Sequence, residues 1–185
     1  MKNTMKTFAA IIIMFAFSIG AMAQSTDNAN ILGKAEVLQG INVEGVEALD
    51  FGRVSPGLAK SIDLENTPSG GQMGEGNEKT GVFTVSASSG TNVTIQFTTL
   101  PSDLTNGSNT LPIGSYIAGY GNTLAYTGIG FDPLASTIVS GGNFPANTIG
   151  SVNAIYVHIG GTVTPGATQA IGNYSSTITL TATYN

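Results

Sequence analysis

The stretch Gly172-Asn-Tyr-Ser-Ser-Thr-Ile-Thr-Leu-Thr-Ala-Thr-Tyr-Asn185 decides the fold class. Side chains alternate between the two faces of an extended strand. Tyr174, Ile178, Leu180, Ala182 and Tyr184 therefore share one face, and Ser175, Thr177, Thr179, Thr181 and Thr183 share the other. An apolar face backed by threonines fits a pleated, half-buried position in a sheet. A strand of this kind also has an edge that a second chain can pair with.

The same period of two recurs upstream, and helical periodicity does not. Ile31, Ala35, Val37, Ile41 and Val43 share one parity, interrupted by Gly33 and Gln39. Leu49, Phe51 and Val54 make a short segment that stops at Pro56-Gly57, and Ile62 and Leu64 make another. Phe83, Val85 and Ala87, then Val93, Ile95 and Phe97, flank Ser88-Ser89-Gly90-Thr91 and predict a hairpin. Ile155, Val157 and Ile159 predict a strand that ends at Gly160-Gly161 and lies antiparallel beside the Gly172–Asn185 strand. Glu65 to Thr80 is polar and glycine-rich and reads as a surface loop. Pro101 to Gly150 offers only short apolar pieces between Gly, Asn and Pro. Many short strands with turn signals and no helices between them predict an all-β fold. The expected form is a single antiparallel β-sandwich of Ig-like architecture over residues 24–185.

The first residues predict an export signal. Lys2 and Lys6 form a basic start, Phe8 to Ile19 is apolar, and Ala21-Met22-Ala23 gives a small-x-small cleavage pattern before Gln24. The apolar run is short of the ~20 residues of a spanning helix, so no integral span is expected in the mature chain. The expected location is the periplasm, the cell surface or the medium. There is no cysteine, so packing and hydrogen bonding alone must hold the fold.

The formal charge is −5 at pH 7. Beyond the leader the basic residues are Lys34, Arg53, Lys60 and Lys79, too few and too scattered to neutralise phosphates. Nucleic acid is therefore not an expected partner. From Gly81 onward the only charged residues are Asp103 and Asp132. A surface kept soluble by Ser, Thr, Asn and Gly suits exported β proteins and subunits packed side by side.

Signals for catalysis are absent. His158 is the only histidine, and its parity with Tyr156 predicts a solvent-facing strand residue. No Gly-x-Ser-x-Gly elbow accompanies it. Cysteine-based and multi-histidine metal sites are excluded by composition. Asp27, Asn28, Asn30 and Asp132 lack EF-hand spacing and read as turn residues. Asp63/Glu65 and Glu75/Glu78 read as solvated carboxylates rather than a glycosidase pair across a cleft. Asp50-Phe51-Gly52 matches a kinase triplet by letters alone. No cofactor is expected. Tyr116, Tyr120 and Tyr126 lie in a glycine-rich region, either as core residues at strand ends or as ligand anchors on loops.

Gly172, the alternating apolar residues after it and Tyr184 resemble the C-terminal motif of chaperone–usher pilin subunits and of spore-coat-protein-U-type secreted domains. Ala35-Glu-Val37, Leu49-Asp-Phe-Gly52, the Phe83 strand and Gly172-Asn-Tyr174, in that order, resemble a related secreted bacterial domain of unknown function across most of the mature chain. The resemblance implies an Ig-like sandwich at the cell surface, and a fimbrial component that accepts a neighbour's strand. The cysteine pair of many pilins is missing here. Ile31, Gly33, Ala35, Val37, Ile41 and Val43 then form either such a donor strand or the domain's own first strand.

Together these readings predict a non-enzymatic exported structural or adhesion protein, pairing with itself or with related subunits. The alternative is a monomeric secreted module that binds a surface glycan or a protein.

Overall fold

The computed structural model describes residues 32–70, 77–88, 91–134 and 154–184, together with the backbone of 138–140. The expected signal segment and its cleavage residues Ala23 and Gln24 lie outside the described residues, as do Ile31 and Asn185. The chain divides into a leading unit, Met1–Val37, and a body, Leu38–Asn185. Within the leading unit residues 32–37 belong to no strand and are exposed.

The body is all-β, and every pairing between its strands is antiparallel. Its described strands are β1 (Asn42–Glu47), β2 (Lys60–Ile62), β3 (Pro68–Gly70), β4 (Gly81–Ser86), β5 (Val93–Thr99), β6 (Asp103–Asn106), β7 (Asn109–Gly121), β8 (Ile129–Phe131), β9 (Ile138–Ser140), β10 (Ala154–Val163) and β11 (Thr179–Tyr184). They form an eight-stranded and a three-stranded sheet, with order β11-β5-β9 in the smaller one.

β10 is the hub of the larger sheet. One side of it pairs with β4 and then β2, and the other side pairs with β7. Its sequence allows this because it is acceptable to a core on both faces. Val157, His158, Ile159 and Gly160 are all buried in succession. Gly160-Gly161 does not end the strand as expected. The strand continues to Val163, with a register shift between Gly160 and Thr162. Glycine is required there, because a Cβ on Gly160 would collide with the Ile62 carbonyl oxygen.

Two expected pairings are corrected. β4 and β5 do not form a hairpin, since β4 lies between β1 and β10 while β5 is the centre of the small sheet. The chain crosses from one sheet to the other at Ser88, whose carbonyl accepts from Thr91 Oγ1 at 2.6 Å. β10 and β11 are likewise in different sheets, and β11 pairs with β5 instead. Alternation gives each strand its faces, whereas the neighbour is chosen by where those faces find a partner.

The presumed loop Glu65–Thr80 is corrected as well. β2 turns at Asp63–Thr67 and returns as β3, with Asp63 Oδ1 accepting from the Thr67 N–H at 2.6 Å. Glu78, expected in water, is buried against Lys60. In the 101–150 region β6 and β7 join through a two-residue loop after Asn106, with Gly107 at φ 61°.

The strand expected over Gly172–Asn185 is shorter than that, since residues 172–178 are coil held by one bridge at Ser175, but over β11 the expected parity is the observed one. Leu180 is buried, Ala182 and Tyr184 pack on the same cluster, and Thr179 and Thr183 are exposed. The core has two parts. Val85, Ala87, Val93, Ile95, Ile155, Val157 and Leu180 fill the space between the sheets. Phe51, Ile62, Leu111, Ile113, Tyr116, Ile159 and Val163 form the second part, with Leu49, Val54, Tyr174 and Ile178 packed against it. Those last four come from segments outside any strand. Phe83 and Phe97 meet edge to face at 6.1 Å and join the two parts.

Candidate functional site

β1 ends the order of the larger sheet and β11 ends that of the smaller one. These two edges close on each other at one end and part at the other. At the closed end the Tyr184 hydroxyl donates to the Gln39 carbonyl at 2.6 Å and accepts from the Ser88 N–H at 2.8 Å. Gln39 N–H also donates to Ser88 Oγ at 2.5 Å. Tyr184 thus ties the start of the β1 segment to the crossing between sheets.

At the open end a hollow of about 610 Å3 lies between Gly45–Phe51 and Tyr174–Ile178. Its floor includes Phe83, Ile113 and Ile159 from the second part of the core. A neighbouring hollow of about 550 Å3 shares Leu49, Phe51, Leu104 and Tyr174 with it and reaches Leu111 and Val163. The two make a groove with apolar side chains at its floor and polar ones at its rim, where coil, rather than a strand of the small sheet, covers the core. Ser175 holds one wall, exchanging backbone hydrogen bonds with Thr105 at 2.9 and 3.0 Å. Gly172 and Tyr174 belong to that wall, and the Tyr174 hydroxyl donates to the Ala170 carbonyl at 2.7 Å.

The stretch read as a candidate donor divides. Ile41 and Val43 pack on the core, and β1 is paired to β4 along its length, so this portion is the body's own first strand. Gly33, Ala35 and Val37 are exposed and belong to no strand, Val37 being 93% exposed.

The three tyrosines do not converge. Tyr116 is in the core and donates to the Pro101 carbonyl at 2.7 Å, and burial pushes its pKa up to about 12. Tyr120 packs on the core between the sheets and lies 6.3 Å from Phe131. Tyr126 alone is on the outer face, on the loop between β7 and β8, where it meets His158 edge to face at 5.3 Å.

His158 is not solvent-facing, which corrects the sequence reading. It does point away from the space between the sheets, but it is only 1% exposed. Glu47 and Glu65, with Leu64, Val82 and Leu124 beside them, line the hollow around it. Burial lowers its pKa from 6.5, opposed by a hydrogen bond to the Thr123 backbone and by the Glu47 charge. The unfolded chain takes up this proton near pH 6.5, and the folded chain takes it up only at lower pH. The stability held with neutral His158 is therefore complete above pH 6.5 and is lost as pH falls through the window below it. Urea midpoints measured down through that window should fall for the wild type, and the fall should be shallower for His158→Leu. Equal slopes would remove the histidine from the pH response.

Among the described residues no three His, Asp or Glu side chains cluster as a metal site, and no helix is long and apolar enough to cross a membrane. Compared with protein families, curated proteins and solved structures, the chain matches none.

Proposed function

We propose that this protein is an exported, non-enzymatic structural subunit that assembles by strand addition. In this reading residues Ile31–Val37 of one copy lie in the groove between the β1 end and the Tyr174–Ile178 segment of the next. The observation that carries it is the groove itself, a hollow with Phe83, Ile113 and Ile159 at its floor, between the end of β1 and the coil that leads into β11. Added strands gain affinity from main-chain hydrogen bonds and specificity from alternate side chains entering pockets. Ile31, Ala35 and Val37 supply such an alternating row, and Gly33 lets the backbone approach closely. The start of β1 at Asn42 leaves residues 32–40 outside any strand.

A second reading, a monomeric module for a glycan or protein, rests on the half-buried Tyr126 at the outer face. Light scattering across dilution, on protein recovered from exporting cells, separates the two. Strand addition predicts a ladder of multimers that survives dilution. Val37→Asp should abolish that ladder and leave the folded monomer intact, because Val37 is almost wholly exposed in the single chain. A wild-type protein that is one monomeric species at every concentration would end the assembly reading, as would a Val37→Asp ladder equal to that of the wild type.

A further inference from the structure

The outer face of the larger sheet holds a hollow of about 540 Å3 around His158. On β10 the imidazole stands opposite Gly119 of β7, and Gly119 in turn stands opposite Gly130 of β8. Two adjacent positions beside the ring therefore carry no side chain. Tyr126 lies in the vacancy, and a Cβ on Gly119 would come within 2.5 Å of its ring. One imidazole nitrogen is engaged by the Thr123 backbone. The other, Nε2, is buried and has no hydrogen-bond partner. A buried polar atom left unmatched costs stability that an apolar residue at this position would not.

The surrounding groups narrow what would satisfy it. With the proton on the nitrogen that meets the Thr123 carbonyl, Nε2 presents a lone pair and accepts. Glu47, from β1, acts by its charge on His158, and Glu65, from the β2–β3 turn, acts by its charge on Tyr126. The face of Tyr126 is also electron-rich. Lys79, just before β4, is the cation nearby, and it is held by Glu47 at 3.3 Å on the exposed rim. Acceptors and negative charge thus border a hollow whose other walls include Leu64, Val82 and Leu124, with Asn66 and Thr80 beside them. A ligand matching these walls is a donor, a cation and partly apolar.

We infer that this hollow binds an alkylammonium group, with Nε2 accepting one of its N–H protons, Glu65 and Glu47 balancing its charge, and the alkyl stem against Leu64 and Leu124. The group is either a free amine or the lysine side chain of a peptide. Tyr126 packs edge to face on the imidazole from a loop outside any strand, over residues 122–128, and its displacement from Gly119 opens the way in. The proposed assembly groove lies on the other face of β10, and Glu47 at the end of β1 borders both.

The chain has a single histidine, so ring-15N-labelled protein gives one Nε2 resonance to follow by NMR without assignment. Titration with n-butylammonium should shift that resonance saturably, and n-butanol, equal in shape but neutral, should bind at least tenfold more weakly. Nα-acetyl-lysinamide shifting it as well as n-butylammonium would identify a peptide lysine as the ligand, and its exclusion would identify a free amine. Glu65→Gln, at an exposed position, should weaken n-butylammonium at least tenfold. An Nε2 signal that does not move, equal binding of the alcohol, or a Glu65→Gln variant unchanged in affinity would overturn the assignment.

Discussion

Lys60→Ala is expected to leave the protein largely unfolded under mild denaturant, with a loss of about 3–5 kcal/mol. Lys60 is 0% exposed, and its Nζ lies 2.7 Å from Glu78 Oε1 and 3.0 Å from the Arg53 carbonyl. Taking two charges out of water costs several kcal/mol per ion, and their mutual attraction and hydrogen bonds offset that cost. Alanine removes the attraction of Lys60 for the buried Glu78 carboxylate, and it also opens space where the lysine stem packed. The loss is large against the ~5–15 kcal/mol that holds a typical domain. Its structural consequence is local at first. β2 and β4 share one side of β10, and the pair clamps the segment entering β4 onto β2. Urea unfolding checks the expectation, and Lys60→Met with Glu78→Gln should recover most of the loss by removing both charges together. A Lys60→Ala midpoint equal to that of the wild type would mean that water reaches the pair.

The second large effect separates two neighbours on β11. Leu180→Asp should cost about 3 kcal/mol or more, because it places a carboxylate without a partner among Val85, Ile95 and Val157. Thr179→Asp should stay within about 0.5 kcal/mol, since that side chain is exposed. Thr179 sits at a register shift against β5, which relaxes its packing further. Comparable midpoints for the two variants in urea would contradict the observed orientation of the strand.

Period two made the all-β character and the faces of β11 legible, because it depends only on residues two apart. Strand partners depend on residues far apart, and there the reading failed. Val85 and Ile95 alternate as well across a sandwich as they would within a hairpin, so nothing local places β4 and β5 in different sheets. The outward parity of His158 was legible, but its burial was not. Burial there is set by a loop that returns over Gly119 and brings Tyr126 with it. Charge misled in the same way at Glu78, whose cation lies eighteen residues away on another strand. One signal was present and missed, the Gly107-Ser108 pair that closes β6 onto β7. The groove had no signature at all, since it arises where the end of β1 and the coil before β11 diverge.

The pairing of β5 with β11 has a consequence in time. Thr98 and Thr181, hydrogen-bonded at 3.0 Å across these strands, are 83 residues apart in the chain. At the usual ~5–20 residues per second, translation takes roughly 4–17 s to travel from one to the other. Throughout that interval Val93 and Ile95 have no β11 against which to close. Contacts of such long sequence separation also form late in folding, because the intervening loop must be closed first. One edge of β5 is thus left without its partner for seconds, an interval in which any other strand with a free edge can pair there in its place.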